Sequence, residues 1–125
     1  MKYSDTLHLV LKDKWFQMYK DGLKTEEYRE ITPYWCNRLL GDIPFTREYW
    51  ELILANKKTD KKRLTYNYSV RHFDFVTFHR GYTKETITFL LKDITIGYGD
   101  KNLGAPDELC FILEVEDFVS YIDKK

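Results

Sequence analysis

The spacing of apolar residues changes period midway along this chain, and that change restricts the fold more than any other feature. In the first half, apolar side chains recur at helical spacing after one short alternating stretch. From residue 64 onward they alternate, as they do in strands. Thr6 to Lys12 alternates through Leu7, Leu9 and Leu11 and reads as a first strand. A helix is expected over Lys14–Lys20, capped by Asp13, with Trp15, Phe16, Met18 and Tyr19 on its apolar face. Gly22 supplies the left-handed exit that ends it. Thr32-Pro33 starts a second helix, with Thr as cap and Pro in the first helical position. That helix turns Trp35, Cys36, Leu39 and Leu40 inward and stops at Gly41. A third helix is expected from near Thr46, with Tyr49, Trp50, Ile53 and Leu54 on one face.

Beyond residue 64 the expected strands are Phe73–His79, Glu85–Leu91 and Glu108–Glu116. In the second of these, Ile87, Phe89 and Leu91 share a face. At Lys92-Asp93 the apolar set jumps to even positions, Ile94 and Ile96, which predicts a bulge or sheet corner. In the third, Leu109, Phe111, Leu113 and Val115 face the core. Helices gathered in the first half and strands in the second define an α+β domain. Bulges and turns at this density favour a curled, barrel-like sheet of five or six strands with two or three helices. At 125 residues the chain is expected to form one domain, residues 1–125, large enough for a core without disulfides.

Charge is balanced, with 20 Lys and Arg against 20 Asp and Glu, so no overall field draws in an anion. It is unevenly placed, however. Residues 57–63 hold five positive charges against one negative, and residues 107–117 hold acidic groups alone. The basic stretch is either a solvated loop or a local phosphate contact. Cys36 and Cys110 lack partners at metal spacing and read as reduced core thiols of a cytoplasmic protein. No apolar run reaches membrane-spanning length, so no membrane partner is expected. The oligomeric state is open.

One segment, whose charged run 24–31 reads as a second strand, works against the fold around it. Gly22-Leu23-Lys24-Thr25-Glu26-Glu27-Tyr28-Arg29 places a charged strand between aromatic flanks, Trp15-Phe16 and Pro33-Tyr34-Trp35. In a strand Glu27 and Arg29 share a face. With Lys24 they could bind an anion, position a base or move a proton. They could equally protect an edge strand from aggregation. Trp15, Tyr28, Tyr34, Trp35 and Arg38 interleave rings with cations, as base stacking and phosphate contact require, although both tryptophans also suit a core. Tyr34 and Arg38, four apart on one helix, make the better exposed patch. His79-Arg80-Gly81-Tyr82 is either the mouth of a cleft, with Tyr82 as a lid, or a plain hairpin turn. The three histidines have no ligand at zinc spacing, no phosphate loop or nucleophile elbow is present, and neither metal nor cofactor is expected.

Taken in order, Trp15-Phe16, Gly22-x-Lys24-Thr25-x-Glu27-x-Arg29, Pro33-Tyr34-Trp35 and Arg38 resemble the ASCH (activating-signal-cointegrator homology) domain of the PUA-like superfamily. Val76-x-Phe78-x-x-Gly81-Tyr82 is similar to its second signature. The resemblance implies a PUA-like barrel with a cleft beside the first helix, floored by the Lys24–Arg29 strand, and an RNA, nucleotide or nucleoside ligand. With the residues read from spacing, the expected ligand-binding set is Lys24, Glu27, Arg29, Tyr34, Arg38, Arg80 and Tyr82. One branch of the family hydrolyses a modified cytidine, using a threonine three residues after the motif lysine. Here that position is Glu27, so a hydrolase would use Glu27 as general base, with Lys24 and Arg29 stabilising developing negative charge. The threonine's replacement makes binding the leading expectation and hydrolysis of a modified nucleoside or RNA the alternative.

Overall fold

The computed structural model describes residues 5–40 and 71–123. The expected third helix, the end of the second at Gly41 and the basic stretch 57–63 lie outside them. The order is β1 (Thr6–Leu11), α1 (Asp13–Lys20), β2 (Glu26–Glu30), α2 (Pro33–Leu39), β3 (Phe75–Arg80), β4 (Thr86–Gly97), a 3-10 turn (Lys101–Leu103) and β5 (Cys110–Ile122). The fold is α+β. The strands form one five-stranded sheet in the order β1-β3-β4-β5-β2. The described residues cluster into two compact units, the first holding 5–26, 72–93 and 114–123, the second 27–40, 71 and 94–113.

In the first unit β1 runs parallel to β3, with Leu7 opposite Val76 and Leu9 opposite Phe78. The β3–β4 pair is antiparallel, with Val76 opposite Phe89 and Phe78 opposite Ile87. These residues all face one side of the sheet and are buried. Helix α1 lays Phe16 and Tyr19 on that side, and the Tyr19 ring stacks on Phe78 at 4.2 Å between centroids. The period-two and period-3.6 patterns thus meet in one core. On the opposite side, Thr77 and Thr88 face each other across β3 and β4, their hydroxyls 2.8 Å apart.

Asp13 does not cap α1. The carbonyl of Lys12 accepts from Trp15 N at 3.1 Å and Phe16 N at 3.0 Å, which makes Lys12 the capping residue. Asp13 sits in the first turn, where a negative charge favours the helix dipole, and accepts from Gln17 Nε2 at 3.1 Å. The exit is as expected. Gly22 has φ 72°, Gly22 N donates to Tyr19 O at 3.2 Å, and Leu23 N donates to Met18 O at 2.8 Å. That pair of bonds is a Schellman closure.

The second unit is built round α2 and a small cluster of Tyr28, Ala105, Cys110 and Ile112, with Leu103 packed against it. Thr32 caps α2 by accepting from Trp35 N at 3.2 Å. Cys36, Leu39 and Leu40 are buried as expected, while Trp35 is only half-buried. The phase jump at Lys92-Asp93 is visible as burial. Ile87 and Phe89 are buried before it, Ile94 and Ile96 after it, and the two charged residues are exposed. The expected last strand differs in two ways. It runs to Ile122, and over Cys110–Leu113 both faces are buried, because Cys110 and Ile112 join the Tyr28 cluster.

Candidate functional site

The residues singled out in the sequence fall into separate clusters. In the second unit, β2 alternation brings Glu27 and Arg29 to one side, and Arg29 NH1 donates to Glu27 Oε2 at 2.6 Å. Glu27 is 3% exposed, so its charge is held away from water and needs this partner. Arg29 also donates to the Tyr28 carbonyl at 2.8 Å. Its guanidinium carbon lies 5.3 Å from the Trp35 ring centroid, and that of Arg38 lies 5.5 Å from the same ring. Tyr34 meets Trp35 edge-on at 4.9 Å, and Arg38 NH1 donates to its hydroxyl at 3.3 Å. Tyr34 is 60% exposed. One indole therefore has two guanidinium groups against it and an open tyrosine beside it. Such a surface offers a stacking platform and fixed positive charge together.

Lys24 belongs to the first unit and is buried at 4% exposure. Its ammonium lies 4.5 Å from the Trp15 ring centroid and 5.5 Å from that of Tyr19. Lys14 approaches Trp15 as well, at 4.6 Å. The two helix aromatics therefore serve a buried cation as well as packing.

Arg80 and Tyr82 part company at their hairpin. Gly81, at φ 54°, makes the turn, and Tyr82 at its tip is 99% exposed. Arg80 instead reaches Glu85, Nε to Oε1 at 2.5 Å, and lies 3.6 Å from Asp13. Glu85 also accepts from the Tyr121 hydroxyl and from Lys20 Nζ at 3.2 Å, and the Tyr121 hydroxyl accepts from Lys20 at 3.3 Å. The Tyr121 hydrogen bond first, then those from Arg80 and Lys20, hold the Glu85 carboxyl down to about 2. The same bond raises Tyr121 above the ordinary phenol range. A cleft of about 540 Å³ opens beside this cluster, lined in part by Lys20, Arg80, Thr83 and Tyr121. Glu85, Lys20 and Tyr121 escaped sequence reading because they lie on a hairpin, a helix end and the last strand, with no common spacing. The one available signal was a glutamate directly following the Gly81 turn.

The thiols of Cys36 and Cys110 are buried and unbridged. Burial pushes Cys36 up to about 11, which leaves it inert as a nucleophile at neutral pH. Among the described residues no helix is long and apolar enough to cross a membrane. No family model, no curated protein and no solved structure matches the chain.

Proposed function

We propose that this chain is an ASCH-type, PUA-like domain that binds RNA or a nucleotide through the aromatic–guanidinium patch on β2 and α2. The observation behind this reading is Trp35 flanked by Arg29 and Arg38 with Tyr34 open beside it. A base stacks on Tyr34 and Arg38 meets phosphate, while Arg29, paired with Glu27, adds its guanidinium to the Trp35 face. Glu27 holds Arg29 in place, and Lys24 is a second buried charge on the same charged segment. Tyr82, open at the tip of its hairpin, is a second candidate for stacking, while Arg80 is tied to Glu85. Hydrolysis with Glu27 as general base is the weaker reading, because the carboxylate is buried and paired with Arg29 through Oε2 at 2.6 Å, which favours its charged form and weakens it as a base.

Fluorescence anisotropy with a labelled single-stranded RNA 12-mer and with ATP tests this across salt concentrations. Affinity should fall as salt rises, and Arg38→Gln should flatten the log–log slope by about 0.7. Tyr34→Ala should weaken binding by about 1–3 kcal/mol with the slope unchanged. Absence of binding to both probes at low salt, or variants that bind as tightly as the parent, would overturn the proposal.

A further inference from the structure

We propose that His8 and His79 form a bis-imidazole site for a divalent transition metal, with copper(II) preferred. His8 lies on β1 opposite Thr77, and His79 lies on β3 opposite Val10, so the two share one side of the sheet as diagonal neighbours. His8 Nδ1 and His79 Nε2 are 2.9 Å apart, and the ring centroids are 5.2 Å apart with a 44° tilt. His8 is exposed and His79 half-buried, so the pair is open to solvent. Two neutral imidazoles that face each other can share only one proton, and one nitrogen already presents a lone pair to the other. A metal takes the place of that bridging hydrogen. The donor ring then carries its proton on its other nitrogen, and each ring turns about its terminal torsion to aim a lone pair at the ion.

The nitrogen ligands set the preference among metals, since affinity of such sites for divalent ions peaks at copper(II). With metal–nitrogen bonds of about 2.0–2.1 Å, two cis ligands at a right angle stand about 2.9 Å apart, whereas a tetrahedral angle needs about 3.3 Å. The observed 2.9 Å is a hydrogen-bond distance that small ring rotations carry to either value, so the order copper(II) ahead of nickel(II) and zinc(II) rests on ligand chemistry. Among the described residues no group of three His, Cys, Asp or Glu forms a metal cluster, so water fills the remaining positions. The two ligands are 71 residues apart in sequence, which is why no spacing motif marks them. The ion would also clamp β1 to β3, because one ligand comes from each strand.

Titration of the purified full chain with copper(II), nickel(II) and zinc(II) chlorides in a non-coordinating buffer tests the site. Copper(II) should bind one to one, tighter than nickel(II) and zinc(II), with electron paramagnetic resonance showing two nitrogen ligands. Either His8→Asn or His79→Asn should weaken copper binding at least about tenfold, because the chelate is lost. His72→Asn should leave it unchanged. If a variant fails to fold, the histidine proton spectrum of the parent decides: copper(II) must broaden His8 and His79 before His72. Binding that survives both substitutions, equal sensitivity to His72→Asn, or a single-nitrogen signal would overturn the assignment.

Discussion

Gly99→Ala gives the sharpest test of how the second unit is packed. A Cβ at Gly99 would lie 2.3 Å from Tyr28 Cε1, 2.6 Å from Cδ1 and 2.7 Å from the Ala105 Cβ. Carbon atoms settle about 3.5–4.0 Å apart, so the ring must retreat by roughly 1 Å. It has little room, since Tyr28 is 6% exposed and packed among Ala105, Cys110 and Ile112. Its hydroxyl also accepts from Asp100 N at 3.2 Å and would be dragged off that donor. Gly99 is not in the left-handed region, so the cost is steric. Overpacking costs about 1–3 kcal/mol and the hydrogen bond about 1 kcal/mol. Reduced freedom of the unfolded chain returns about 0.4–1 kcal/mol. The net expectation is a loss of about 2–3 kcal/mol by urea denaturation, or roughly 10 °C in Tm. The decisive measurement is a double-mutant cycle with Tyr28→Ala, run with trimethylamine N-oxide present throughout. With the ring gone only the Ala105 contact remains, so Gly99→Ala should cost at least about 1 kcal/mol less than in the parent. An equal cost in both backgrounds would refute the clash with the Tyr28 ring.

Gly22→Ala should behave differently. Nothing lies within 4 Å of the added Cβ, so only the left-handed backbone at φ 72° resists it, and a loss of about 1 kcal/mol is expected in the same urea assay. Glu85 gives an acid dependence. Its folded-state value of about 2 lies below the ordinary carboxyl range, so the stability it adds is present above about pH 4.5 and is lost as pH falls toward 2. Glu85→Gln should therefore be less stable than the parent at pH 7, with the gap closing across that window; a gap independent of pH would contradict the assignment.

Much of the site was legible because it is local. A strand places Glu27 and Arg29 on one side, and one helical turn places Arg38 beside Tyr34, so their contacts follow from periods of two and 3.6. Gly22, Thr32-Pro33 and the Lys92-Asp93 phase jump are equally local, being set by backbone conformation or by which face each side chain takes. The sequence by itself determined these pieces and the α+β class. Tertiary structure decided what long-range pairing alone can bring together: Glu85 with Lys20 and Tyr121, His8 with His79, and the burial of Cys110 and Ile112. It also buried Lys24, expected from the sequence to bind an anion in a cleft, against the Trp15 and Tyr19 rings. The reason is physical. Periodicity records which way a side chain points, but its charge environment depends on which distant element folds against it.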